Sequence, residues 1–141
     1  MIQLPLNEII QAECRATMNT WPKNSVDLMV TSPPYWGLRD FDLPPQVWGG
    51  DPECDHEWGD PRLDLKYTSG TNPKYAGQYI TKKTHFESTS KFCQKCGAWL
   101  GSLGLEPHPQ MYVDNMVEVG KCIHRVLKKS GSYWLNLSDT Y

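Results

Sequence analysis

At 141 residues the chain is one domain long, or a domain with an insertion, and its formal net charge of −2 excludes a globally basic nucleic-acid-binding surface. No apolar run is long enough to span a membrane, and Met1-Ile2-Gln3-Leu4-Pro5 lacks the basic start and apolar core of a signal peptide. Five cysteines, an odd number, argue against a closed disulfide set and point to reduced thiols in a cytoplasmic setting.

Asn7-Glu8-Ile9-Ile10-Gln11 is a short strand candidate, followed after Ala12-Glu13 by a helix over about Cys14 to Trp21. That helix must end before Pro22, because the residue preceding a proline avoids the α conformation. Pro22-Lys23-Asn24-Ser25 is a polar turn into an apolar run, Val26-Asp27-Leu28-Met29-Val30, which reads as a buried parallel strand. Thr31-Ser32-Pro33-Pro34-Tyr35-Trp36 ends that strand. Proline has no N–H and fixes its φ, so the Pro-Pro pair stops the ladder and holds the next side chain rigidly. Open α/β sheets bind their ligands at the carboxyl ends of strands. Ser32 Oγ and the Pro33 carbonyl are acceptors suited to an exocyclic NH2, and Tyr35 offers a flat face for stacking a base. The bland reading of the same residues is a strand-ending turn.

Residues 41–104 show little helical or strand periodicity and read as an insertion that something other than an apolar core must order. Cys54-Asp55-His56 and Cys93-Gln94-Lys95-Cys96-Gly97 supply that something. Zinc takes four ligands in a tetrahedron, and three cysteines with one histidine are among its standard structural sets. With Cys54, His56, Cys93 and Cys96 all bound, no open position is left for catalysis. His85 and His108 are alternatives to His56, since 36 residues separate the two pairs. Free thiols or a redox pair at Cys93 and Cys96 are the competing readings. Cys14 and Cys122 are expected in the core. Between the pairs, Arg62, Lys66, Lys74, Lys82, Lys83, Lys91 and Lys95 face only Asp64 and Glu87, with Tyr67, Tyr75, Tyr79 and Phe86 interleaved. Cations match phosphate and aromatics stack on bases, so this stretch suits DNA; the alternative is a solvated loop.

Tyr112, Met116, Val119, Ile123 and Val126 step by four, three, four and three, the stripe of an amphipathic helix. Pro109 suits its first turn, and Lys128-Lys129-Ser130-Gly131 gives a basic end and a glycine stop. Gly120, in mid-helix, should cost about 1 kcal/mol relative to alanine and implies close packing there. Ser132-Tyr133-Trp134-Leu135-Asn136-Leu137 is the last strand, with Asn136 and Asp139 at its carboxyl edge on the side of Ser32.

Ser32-Pro33-Pro34-Tyr35 resembles the Asp/Asn/Ser-Pro-Pro-aromatic signature of the amino-methylating DNA methyltransferases. Arg125-Val126-Leu127-Lys128 and Trp134-Leu135-Asn136-Leu137 resemble the same family's next helix end and strand, although Ser138 replaces its usual glycine. The resemblance implies an α/β fold: a partial Rossmann-like methyltransferase sheet of three parallel strands with helices, formed by residues 1–40 and 105–141 and carrying the zinc-stapled insertion 41–104. It implies site-specific methylation, of the restriction–modification kind, of cytosine N4 (favoured by Ser32) or adenine N6, with S-adenosylmethionine as methyl donor. The partner is double-stranded DNA with its target base flipped out, Trp36, Arg39, Lys82 and Lys83 being further candidates for contact with it. Where the family shows Gly-Asp-Cys this chain has Ala12-Glu13-Cys14, so Glu13 reads either as an acidic group near the cofactor or as a solvated carboxylate. The family's Phe-x-Gly-x-Gly cofactor loop is not found: Trp48-Gly49-Gly50 and Leu100-Gly101-Ser102-Leu103-Gly104 have no strand before them. In one permuted subgroup the target-base motif comes first and the cofactor loop near the C-terminus. The chain is therefore expected to bind cofactor poorly and to be inactive alone, unless a partner chain or a C-terminal part completes the sheet. The rival readings are a non-enzymatic zinc module that contacts nucleic acid and an enzyme acting on RNA or protein.

Overall fold

The structure is a computed structural model that describes residues 4–59 and 91–138. The described chain divides into two compact units, one from Met1–Pro33 with Met116–Ser138 and the other centred on Pro34–Asn115.

The first unit begins with helix α1 (Cys14–Thr20), capped by Glu13, whose carboxylate accepts from Arg15 N at 3.0 Å and Ala16 N at 2.6 Å. A side-chain acceptor at this position satisfies two of the amide donors a helix start leaves orphaned. Trp21, the residue before Pro22, is extended (φ −76°, ψ 151°) and ends the helix where the proline rule places its end. The last carbonyls of α1 are satisfied from elsewhere in the unit: the Arg125 guanidinium donates to Met18 O and, at 2.9 Å, to Trp21 O.

Strand β1 (Val26–Thr31) runs parallel to strand β5 (Leu127–Leu135), which follows directly on helix α2 (Pro109–Val126). In register, Val26 faces Leu127 and Leu28 to Thr31 face Ser132 to Leu135, with an irregularity between Val26 and Leu28. Lys128 lies in that irregular stretch, its ammonium 2.7 Å from the Asp27 carboxylate. Gly131 is therefore no helix stop. A Cβ there would sit 2.9 Å from both Asp27 O and Leu127 Cγ, so the bare Cα is what lets the strands approach.

Two expectations fail in this unit. Residues 7–11 form no strand: Ile9 is fully exposed and Asn7 is left-handed at φ 58°. An extended segment is a strand only when a neighbour takes its hydrogen bonds. Among the described residues the parallel sheet thus has two strands rather than three. Nor is β1 buried, since Leu28 is 53% and Val30 68% exposed, as is Trp134 at 67% on β5. Parallel strands are ordinarily covered on both faces. The apolar interior lies on the helical side, where Met18 of α1 and Val119, Ile123 and Val126 of α2 are buried.

The second unit holds a three-stranded antiparallel sheet in the order β2 (Gln46–Trp48), β4 (Trp99–Gly101), β3 (Lys91–Phe92), inside a segment whose sequence shows no strand periodicity. Strands of two or three residues are too short to display a period. Trp99 is directly opposite Trp48 on one side and Phe92 on the other, so three buried aromatics form one row across the sheet. The Trp48 indole N–H donates to Gly101 O at 3.0 Å.

Along α2 the buried positions are Met111, Asn115, Val119, Ile123 and Val126. Met111 and Asn115 replace Tyr112 and Met116 of the expected stripe; both of those are half-buried. Gly120 has open space around it: a Cβ would meet nothing within 4 Å, so close packing does not explain it. Cys14 is exposed and Cys122 half-buried; neither is a core residue.

Candidate functional site

Ser32 follows β1 immediately and is exposed, while Pro33, Pro34, Tyr35 and Trp36 are half-buried. The parallel register brings the end of β5 level with this point, and Asn136 N donates to Thr31 O at 3.0 Å. Asn136 therefore shares the carboxyl edge with Ser32. Asp139 lies outside the described residues, as do Lys82, Lys83 and His85. Arg39 is exposed.

Within the second unit the corner Pro34–Gly37 is tied at three points. The Tyr112 hydroxyl donates to Pro34 O at 2.9 Å, the Trp36 indole N–H to Glu106 O at 2.8 Å, and Gly37 N to Gly104 O at 2.8 Å. Gly104 has φ +91°, and a Cβ on it would fall 2.9 Å from Pro34 Cβ. Glycine meets both requirements, left-handed backbone and close approach. The Glu106 carboxyl is 4% exposed and accepts from Gly104 N at 2.9 Å and Asn115 Nδ2 at 3.0 Å. Burial pushes its pKa up to about 7, although the bonds from Asn115 and the nearby backbone pull the other way. Burial likewise raises the Tyr112 phenol, with smaller contributions from Glu106 and Tyr35.

Glu13 is engaged by the cap of α1 and by the Arg15 side chain, whose Nε lies 3.0 Å from Oε1. Its burial favours the neutral acid, yet the bonds from Ala16 and Arg15 outweigh that and lower its pKa.

Also in the second unit, Cys54, His56, Cys93 and Cys96 place one donor atom each so that all four lie within 4.8 Å of one another. Cys54 Sγ is 3.9 Å from Cys93 Sγ, and Cys96 Sγ is 3.4 Å from His56 Nδ1. A tetrahedral zinc with bonds of about 2.3 Å to sulfur and about 2.0–2.1 Å to nitrogen sets its donors about 3.5–3.8 Å apart. The first distance is also far beyond a disulfide bond of about 2.05 Å. The donor set and its spacing fit zinc. The knuckle Cys93–Ala98 is closed by Gly97 N to Cys93 O at 2.9 Å and Cys93 N to Ala98 O at 2.7 Å, with Gly97 at φ +73°. Gly50 packs beneath it, where a Cβ would be 2.5 Å from Ala98 Cβ and 2.9 Å from Cys96 Sγ. The His56 ring leans on Trp58, centroids 4.7 Å apart, and Lys95 donates to Asp55 O at 3.1 Å.

The thiols show the electrostatic cost of placing them together. Burial, and then hydrogen bonds from Cys96 and Cys93, push the Cys54 thiol up to about 12. Cys93 is also raised by burial, but donors on the Cys96 backbone, His56, and the Lys95 and Glu57 backbones draw it down to about 6. A thiolate at Cys93 therefore disfavours one at Cys54. A dication removes that conflict and permits all three. His108 is not in the group; its Nδ1 accepts from Gln110 N at 3.0 Å in the first turn of α2.

Sequence reasoning missed Glu106 and took Tyr112 for a stripe residue. A lone acid between Leu105 and Pro107 carries no motif, and a phenol at helical spacing reads as core. The buried Asn115 gives the one signal, a polar side chain in phase with the apolar face.

No family model and no solved structure matches the chain. It is 25% identical over 120 residues to the Type II methyltransferase M.SfiI of Streptomyces fimbriatus, a match covering 85% of this chain and 15% of that protein. It is 23% identical over 134 residues to the Type II methyltransferase M.SmaI of Serratia marcescens, covering 95% of this chain and 27% of that protein. The chain thus spans roughly a quarter or less of the relatives it matches, and through them it is distantly similar to Type II methyltransferases.

Proposed function

We propose that the chain carries the target-base corner of an amino-methylating DNA methyltransferase of the permuted subgroup, acting on cytosine N4 in preference to adenine N6. The observation that carries this reading is Ser32, exposed directly after a parallel strand and followed by two prolines and a half-buried tyrosine. Similarity to Type II methyltransferases over 85% and 95% of this chain supports it.

An exocyclic amino nitrogen is a poor nucleophile because its lone pair is delocalised into the ring. Ser32 Oγ and the Pro33 carbonyl accept its two N–H bonds and favour the pyramidal form, which localises the lone pair. The Pro34 carbonyl is engaged by Tyr112, so the first proline rather than the second serves as acceptor. Flipping the base out of a duplex costs a few kcal/mol, and stacking on Tyr35 recovers about 1–3 kcal/mol of it. S-adenosylmethionine supplies an electrophilic methyl group. Neither acceptor has to remove a proton beforehand; as charge builds on nitrogen the proton leaves to water. The gain is orientation and electrostatics.

In this reading Cys54, His56, Cys93 and Cys96 hold a structural zinc that orders residues 41–104, a segment that approaches DNA. The cofactor loop, and cover for Leu28, Val30 and Trp134, come from further polypeptide of the same chain or of a partner. The test expresses the full coding sequence containing residues 1–141, and its Tyr35→Ala variant, in a host without DNA methylation, followed by nucleoside mass spectrometry. N4-methylcytosine present in the parent and lost in the variant is the expected result. Methylated base at equal levels in both, or in neither, sinks the reading.

A further inference from the structure

We propose that Glu106 is a positioning residue, whose buried carboxylate closes a bracket of residues 104–115 that holds the Pro34–Gly37 corner in shape. The proposal rests on the reading above only for its catalytic consequence, the presentation of Tyr35 to a base.

All three hydrogen bonds that fix the corner end on the bracket, at Gly104 O, Glu106 O and the Tyr112 hydroxyl. Two of those anchors belong to a loop and the third to helix α2. A loop anchor fixes nothing unless the loop is itself fixed. The Glu106 carboxylate does this: one oxygen holds Gly104 N, in the loop, and the other holds Asn115 Nδ2, on the helix. It is also what allows Asn115 to be buried at 7% exposure, since a buried amide needs a partner. The contact is tight, with Gly104 so near Pro34 that the loop has no room for a side chain. Hydrogen bonds to an ionised acceptor are the strong kind, and removing the acceptor leaves buried donors unsatisfied. The neutral acid keeps one good acceptor and turns a donor toward an amide that is also donating. Ionised, the carboxylate offers an acceptor to both donors; burial outweighs those bonds and brings its pKa to about 7, so the change of form falls near neutrality. Tyr112 and Asp114 are titratable groups on the adjoining turns of α2, and the Tyr112 phenol is raised partly by Glu106.

The test is hydrogen exchange by NMR on the 15N-labelled chain at pH 8, following the Trp36 indole N–H and the Gly37 amide, with the Cys93 amide of the knuckle as control. Glu106→Gln, which presents an NH2 to one of the two donors, should speed exchange at Trp36 and Gly37 by about tenfold or more and leave Cys93 unchanged. The double variant Glu106→Gln with Asn115→Asp reverses the polarity of the pair and should restore exchange to within about threefold of the parent. In the parent the Trp36 indole resonance should titrate with a midpoint near 7, and this titration should vanish in Glu106→Gln. Unchanged exchange in the single variant overturns the proposal, as does a double variant no better than the single. Should the single variant unfold the unit, so that Cys93 also exchanges, recovery in the double variant decides for the proposal and its absence against. None of these readouts needs methyl transfer, so failure of the methyltransferase reading and failure of the bracket are separate results.

Discussion

Among the described carboxylic acids, Glu106 is the one whose chemistry stands out. Its carboxyl is raised from 4.5 to about 7, so the folded protein binds a proton that the unfolded chain has released. The group's contribution to stability is therefore full below about pH 4.5 and is lost as pH rises through about 7, a change of about 3 kcal/mol in all. Urea midpoints of the parent should carry this decline between pH 5 and 7.5. Glu106→Gln should lack it, so the difference between the two proteins isolates the group from other titrations, the thiols included. Equal pH slopes in both would refute the assignment. Glu13 shows the opposite case at the same scale: amides of α1 and the Arg15 guanidinium hold it ionised, which makes it a cap in the described structure.

At the scale of the element, α2 and the Cys/His cluster make opposite demands on glycine. Gly120 sits in a helix with open space where a Cβ would go, so it has a helix-propensity penalty and no packing role. Gly120→Ala should stabilise the protein by about 1 kcal/mol in thermal unfolding, and a loss of stability would show contacts at that face. Gly50 and Gly97 are the reverse, both left-handed, with Gly50 so close to Cys96 that no side chain fits. The three-stranded sheet is short, and its aromatic row of Trp48, Trp99 and Phe92 is a small core. A structural zinc contributes about 10–16 kcal/mol in small peptides, enough to dominate such an element. One equivalent of zinc should copurify with the chain. Cys96→Ser or a strong chelator should remove it and abolish near-UV dichroism from the buried tryptophans, while Cys122→Ser should retain both. Metal content unaffected by Cys96→Ser would end the tetrahedral assignment.

For the whole molecule the exposed apolar side chains decide the expectation. Two parallel strands with Leu28, Val30 and Trp134 more than half exposed do not form the covered sheet that parallel strands require. Residues 1–141 by themselves should bind S-adenosylmethionine more weakly than about 100 μM by isothermal titration, since a cofactor site needs a largely pre-formed, concave surface. Micromolar binding would place the cofactor site within this chain and refute the need for additional strands.

Much of the molecule is legible from residues close together in sequence. Pro22 ends α1, Pro33 and Pro34 end β1, and Cys93-x-x-Cys96-Gly97 forms its knuckle, because each effect acts through the backbone within a few residues. The short sheet of the second unit escaped, as strands of two and three residues have no period. The expected strand at 7–11 failed because alternation and propensity count only when a neighbouring strand is present to pair. Gly131 has the sequence context of a helix stop and serves instead as a point of close strand approach. What the amino-acid order determined by itself were local stops, the cysteine and histidine types of a candidate metal site and the likeness to a methyltransferase corner. Only the tertiary structure decided that His56 joins the three cysteines and that Glu106, Asn115 and Tyr112 brace Pro34–Gly37. Those partners are tens of residues apart, and burial, which raises the Glu106 carboxyl and makes each hydrogen bond obligatory, exists only once the chain has folded.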